Sequence, residues 1–351
     1  MKPVLFVTGH VPADRVGAFE LLHERVGIEL ALYGGRHQHG APPGAPPAAV
    51  PHRLVAQHEI GGLVRSGAYR AIVAGTGGRV ALPAAWRASR RSGVPFVFWA
   101  ALWRTPRTAA HLAALPLMHA IYRHAGAIVT YGEHVSAYVR RNGATRVFVA
   151  PQAVDNKFWS APAPPRGDPR FAALFVGRPA REKGLAVALE AWRRAALDGT
   201  LALVGELGSA LPAGVVALGA LAPPGLRNFY ASSDVLVVPS VSSRRFVEPW
   251  GMVVNEAMNQ GAAIIATDAV GAAAGGLVRD GHNGLIVPAG DAGALAQALA
   301  TLAGDRERCA AFGAAGREDV SSYTFDAWAE GFVTALELAA PQRPRAGSVE
   351  R

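Results

Sequence analysis

The sequence predicts an α/β protein with two parallel-sheet domains. Three observations carry that prediction. Short apolar runs alternate with helical patterns along most of the chain. The length, 351 residues, suits two domains at roughly 100–200 residues each. A Pro-rich segment near the middle, 160–169 (SAPAPPRGDP), has the composition of a linker.

In the first half, strands are expected at 4–8, 71–74, 96–99, 127–130 and 147–150. In the second they are expected at 172–176, 201–204, 215–218, 235–239, 263–267 and 284–287. Strands separated by helical segments point to parallel sheets. Segment 41–51, rich in Pro and Ala, reads as a loop. Residues 1–160 then form an N-terminal domain and 161–322 a C-terminal one. Within 323–340, Phe325, Trp328, Phe332 and Leu336 recur at helical spacing. The polar tail 341–351 is expected to be disordered.

Half of the residues are apolar and 17% are charged, so each half can bury a core. A spanning helix needs about 18 uninterrupted apolar residues. The nearest stretch, 109–131, is broken by His119, Arg123 and His124. The opening MKPVLFVTGH reads as a buried first strand, not a signal peptide. Cys309 is the only cysteine, which excludes an internal disulfide and a multi-cysteine metal site and suits a cytoplasmic protein. The histidines show no metal-binding pattern.

The net charge of +9 is uneven: between Glu59 and Glu133 there are nine arginines and no acidic residue. Such a field suits an anionic partner, a phosphate or an anionic membrane surface, and equally a solvated Arg-rich face. No helix-turn-helix or RNA motif is present, so nucleic acid is not an expected partner. Thr8-Gly9-His10-Val11-Pro12 is not the GxGxxG of a dinucleotide enzyme.

Three segments of the second half carry the chemistry. In the first, an apolar strand runs into Gly177-Arg178, followed by Lys183-Gly184. A loop at a strand's carboxyl end is where open α/β sheets bind ligands. Arg offers a planar fork of donors and Lys a compact charge, a pair able to neutralise a pyrophosphate. The same residues also suit a surface cluster in which Glu182 and Arg181 pair with neighbours.

The second segment is Pro239 to Met258, with Glu248 on a loop before Pro249 and a helical pattern from near Gly251. Backbone amides at a helix start attract phosphate. Glu256 is expected about two turns into that helix, placed to accept bonds from ribose hydroxyls. Dipole compensation and an ordinary helix-surface Glu are the alternatives. The third segment is a strand ending at Thr267-Asp268, then Gly271, Gly275-Gly276 and the turn Asp280-Gly281-His282-Asn283-Gly284.

Together, over 174 to about 338, these segments resemble the C-terminal domain of bacterial family 4 glycosyltransferases. Glu248 and Glu256, eight apart, match that family's paired glutamates, and EPWGMVVNEAMNQGAAIIATDAVG is close to the pattern of a bacterial subgroup. The resemblance implies the GT-B fold, two Rossmann-like domains facing each other across a cleft, with the last helix packed back on the first domain. It implies a retaining, nucleotide-sugar-dependent enzyme that needs no metal or other cofactor. Arg178 and Lys183 would hold the donor diphosphate and assist its departure. Glu248 would contact the donor sugar in catalysis, and Glu256 the ribose. Amides of Gly251, Met252 and Val253 would meet phosphate or ribose, and Gly205 and Leu221 lie where the family contacts the base.

The acceptor side matches less closely. Asp155 fits the family's interdomain pattern, and Tyr131-Gly132 is compatible. The Gly-Gly loop after the first strand is missing, and Trp99-Ala100-Ala101-Leu102-Trp103 stands where a histidine is usual. His10 and His111 are the nearest histidines and suit structural or surface positions. Trp99 and Trp103 suit either sugar stacking or core packing. The acceptor is expected to be a saccharide, a lipid-linked molecule or a small natural product. The location is then the cytoplasm or the inner face of the plasma membrane. A nucleotide-sugar epimerase or phosphorylase of the same fold, or a non-catalytic binding subunit, are the competing readings.

Overall fold

The computed structural model describes residues 1–34, 47–164, 167–206 and 211–339. The tail 341–351 and most of the expected loop 41–51 lie outside the described residues. The chain divides into two compact units. One comprises Met1–Gln152 and the chain from Phe325 onward, and the other Ala153–Thr324.

The division thus falls before the Pro-rich segment. Local packing explains this. A short helix at 156–159 places Asn156 against the second unit, where its amide donates to the carbonyl of Val320 at 3.2 Å. Trp159, buried, packs edge-on to Tyr230 at 5.7 Å.

The first unit holds β1 (Val4–Thr8), β2 (Ile28–Leu32), β3 (His52–Leu54), β4 (Ala71–Gly75), β5 (Phe96–Ala100), β6 (Ala127–Thr130) and β7 (Val147–Val149). They form one parallel sheet in the order β3-β2-β1-β4-β5-β6-β7. Its helices are α1 (Val16–Val26), α2 (Ile60–Arg65), α3 (Ala81–Ser92), α4 (Ala109–His124) and α5 (Glu133–Arg141). Both faces are covered, so central strands such as Phe96–Ala100 are buried throughout and read as apolar runs. Two strands escaped the sequence reading. β2 follows α1 after Gly27 alone, so its apolar residues merge with the helix pattern. β3 is three exposed residues, His-Arg-Leu, and carries no strand pattern.

The second unit begins with α6 (Asn156–Trp159) and holds β8 (Phe171–Val176), β9 (Gly199–Val204), β10 (Val215–Ala217), β11 (Val235–Val238), β12 (Ala263–Thr267) and β13 (Gly284–Val287). All six are parallel, in the order β10-β9-β8-β11-β12-β13. The helices are α7 (Leu185–Ala195), α8 (Pro223–Ser232), α9 (Val253–Asn259), α10 (Gly271–Ala274), α11 (Ala292–Gly304) and α12 (Arg306–Val320).

The chain then returns to the first unit as α13 (Phe325–Glu337), which packs on α1, β6 and β7. Trp328 and Phe332, both buried, meet Phe19, Phe6 and Trp99 there. Trp99 is therefore a core residue and not a sugar platform. No helix among the described residues is long and apolar enough to cross a membrane.

Candidate active site

In the second sheet the strand order reverses between β8 and β11: β9 and β10 lie on one side, β12 and β13 on the other. Loops leaving the carboxyl ends of two such strands diverge and leave a crevice, the usual ligand position in an open parallel sheet. The loop after β8 carries Gly177, Arg178 and Lys183, and the loop after β11 carries Glu248.

These loops meet. Lys183 Nζ donates to Glu248 Oε2 at 2.6 Å. The Glu248 side chain is only 6% exposed, and Lys183 24%. A carboxylate so buried needs a cationic or hydrogen-bonding partner, because removal from water penalises its charge. Ser240 Oγ approaches the same oxygen at 3.5 Å.

Two glycines make the approach possible. Gly184 has φ +73°, and a β-carbon there would stand 1.9 Å from the carbonyl oxygen of Pro239. Its absence lets the turn Arg181–Lys183 lie on the backbone leaving β11, where Val241 N donates to Glu182 O at 2.9 Å. On the other side, Glu248 bridges Val270, and its carbonyl accepts Gly271 N at 3.1 Å. A β-carbon on Gly271 would stand 1.9 Å from Pro249 O. Glu248 is thus fixed from both neighbouring loops.

Arg178 donates to Glu182 Oε1 at 2.8 Å within its own loop, and its side chain is 32% exposed. Glu182 does take a neighbour, as the surface-cluster alternative supposed, and the partner is Arg178. Gly177 N donates to Val204 O at 3.0 Å, which sets it beside the end of β9. Gly205 follows with φ +133° and donates to Gly219 O at 2.8 Å. Leu221, half-buried, lies just beyond. Gly177, Gly205 and Leu221 therefore share the carboxyl edge of β8, β9 and β10.

The helix after Glu248 differs from expectation. It starts at Val253, not near Gly251, so Glu256 falls in its first turn instead of two turns in. Gly251, at φ +95°, and buried Trp250, whose Nε1 donates to Asn255 Oδ1 at 2.7 Å, hold the preceding residues in a loop. Gly251, Met252 and Val253 form the lead into α9.

Glu256 is buried, and its Oε2 accepts the Tyr230 hydroxyl at 2.7 Å. It is no helix-surface Glu. Burial first, and the nearby Glu256 second, push the Tyr230 phenol well above its ordinary value, so it stays a proton donor. Sequence reasoning missed Tyr230. On α8 it reads as one more core aromatic, and nothing in the sequence reveals where its hydroxyl points.

Asp155 caps α6, accepting from Phe158 N at 3.0 Å. His111, exposed, bonds Thr108 Oγ1 at 2.7 Å. Among the described residues, no three His, Cys, Asp or Glu side chains gather as a metal-holding group.

The second unit is thus a doubly wound parallel-sheet domain with basic and acidic side chains gathered at its switch point. Residues 170–305 match the model of the family described as "Glycosyl transferases group 1". Relatives follow the same line. The chain is 31% identical over 142 residues to a D-inositol 3-phosphate glycosyltransferase of Nocardia farcinica, covering 40% of this chain and 30% of that protein. It is 32% identical over 207 residues to an alpha-maltose-1-phosphate synthase of Mycolicibacterium smegmatis, covering 49% and 51%. The matches thus span about a third to a half of these relatives' length.

Among solved structures, Anabaena HepE in complex with UDP has a TM-score of 0.76 at 17% identity, covering 96% of this chain and all of that one. The sucrose-phosphate synthase of Thermosynechococcus elongatus has a TM-score of 0.72 at 19% identity, covering 96% and 98%. The fold is that of the GT-B proteins.

Proposed function

We propose that the protein is a retaining family 4 glycosyltransferase that moves a sugar from a nucleoside diphosphate to a carbohydrate, lipid-linked or small-molecule acceptor. The observation that carries this reading is the Lys183–Glu248 contact at the β8/β11 switch point. A cation beside a carboxylate suits a departing diphosphate next to the sugar that leaves it. Breaking the glycosyl–phosphate bond leaves negative charge on the diphosphate and positive charge on the ring. Preorganised opposite charges lower that barrier without reorganisation. Arg178 and Lys183 take the role that a divalent cation has elsewhere, and no metal is required. Gly205 and Leu221 border the base, Gly251, Met252 and Val253 the phosphate or ribose, and Glu256 the ribose hydroxyls.

UDP is the first nucleotide to try, since HepE was solved with it. The acceptor falls to the first unit. That unit has its own reversal between β1 and β4, where Thr76-Gly77-Gly78-Arg79 leaves β4. Its arginine excess favours an anionic acceptor, and the named relatives include a glycosyltransferase of an inositol phosphate. The protein works in the cytoplasm, in peripheral contact with the inner membrane face.

The test is thermal stabilisation by UDP, GDP, ADP and dTDP, on wild type and on Lys183→Ala. A ligand at a hundred times its dissociation constant adds about 2.7 kcal/mol. One nucleotide should stabilise the wild type and lose most of that gain on the variant. No response to any nucleotide, or an equal response from Lys183→Ala, refutes the donor site.

A further inference from the structure

The first unit has an open groove of about 610 Å³ between the N-terminal half of α4, the loop before it, and α5. Its lining is of two kinds. Leu112, Leu115 and Tyr138 supply apolar surface, while Arg104, Arg107 and Arg141 supply charge. Leu112 is 52% exposed, and every residue from 109 to 113 is exposed.

The helix is nevertheless firmly seated. Its far end buries Ile121 and Tyr122 in the core, and Thr108 caps its start. The Tyr138 hydroxyl is satisfied by Thr105 Oγ1 at 2.6 Å, which leaves its ring as groove surface. α4 itself carries no acidic residue, and Glu133 on α5 is engaged by Arg140 at 2.7 Å.

We propose that this groove and the exposed half of α4 dock on a bilayer surface bearing anionic phospholipid. Exposed Leu112, with half-buried Leu115 beside it, enters the headgroup boundary, and the guanidinium groups around it meet lipid phosphates. Apolar burial and charge attraction together hold an interfacial helix where neither does alone. Charge complementarity selects this occupant: the patch is cationic and apolar, as an anionic bilayer surface requires. The inference rests on the membrane-contact part of the proposed function and names its surface. Binding to vesicles is scored without donor or turnover, so its failure leaves the donor site untouched.

The experiment is co-sedimentation with phosphatidylcholine vesicles, with and without phosphatidylglycerol. Wild type should sediment only with the anionic vesicles, and less as salt rises. Arg107→Gln and Arg141→Gln should each weaken partitioning roughly five-fold, and Leu112→Ser roughly ten-fold. These side chains are at the surface, and far-ultraviolet circular dichroism checks that the variants fold. Arg193→Gln, on the second unit, controls for net charge and should partition as wild type. Absence of sedimentation overturns the proposal. So does equal loss from Arg193→Gln, which would reduce the effect to overall charge. Release from vesicles by inorganic phosphate at constant ionic strength also overturns it, because the groove would then be a soluble-anion site.

Discussion

Lys183 and Glu248, 65 residues apart in sequence, share a 2.6 Å ion-paired hydrogen bond at the point where the second sheet reverses its order. Lys183→Met should leave the buried Glu248 without this partner and destabilise the protein by about 1–3 kcal/mol. Adding Glu248→Gln should then cost less than it does alone, because the charge it removes is no longer paired. Urea unfolding of the two single variants and the double variant measures the coupling. Simple additivity would show that the two groups do not interact in solution.

Tyr230 holds one oxygen of Glu256 and stays protonated at any physiological pH. Tyr230→Phe keeps the ring and removes the bond. Stability should fall by about 1 kcal/mol. The donor KM should rise roughly five-fold with little change in kcat, because the carboxylate proposed to meet the ribose would be less firmly oriented. A stability loss with unchanged KM would confine Tyr230 to a structural role.

Gly184 and Gly219 test sterics against dihedral preference. Their φ values are +73° and +68°, but a β-carbon at Gly184 meets Pro239 O at 1.9 Å and one at Gly219 meets nothing within 4 Å. Gly219→Ala should cost about 1–2 kcal/mol, the ordinary penalty of left-handed backbone. Gly184→Ala should cost at least about 3 kcal/mol, since backbone must move, and should also weaken nucleotide binding. Equal melting temperatures for the two variants would refute the close contact.

Asp319 gives a pH-dependent stability term. Burial pushes its carboxyl up, but bonds from Arg279 and Asn283 outweigh that and hold it below the usual carboxylate range. Asn283, fully buried, donates to Asp319 at 2.7 Å and ties the turn before β13 to α12. A carboxyl with a depressed folded pKa stabilises above its unfolded value and loses that contribution as pH falls through the folded one. The stability gap between wild type and Asp319→Asn should therefore be full near neutrality and shrink below pH ~3.9. A gap that is constant or grows on acidification would contradict the network.

The sequence by itself determined the two-sheet α/β class, most of the strands, and the segments that form the candidate site. Buried parallel strands are short continuous apolar runs, and glycines beside charged residues mark the loops that follow them. Arg178, Lys183, Glu248 and Glu256 stand out in the sequence as candidates, because their spacing belongs to local motifs. Only the tertiary structure decided what those residues touch. That Lys183 reaches Glu248 depends on β8 and β11 being neighbours, which strand order fixes and local pattern does not. The late start of α9 depends on Trp250 being buried and bonded to Asn255. Tyr230 became part of the site for the same reason: helical spacing tells which face of α8 is buried, but only packing against α9 puts a hydroxyl 2.7 Å from a carboxylate.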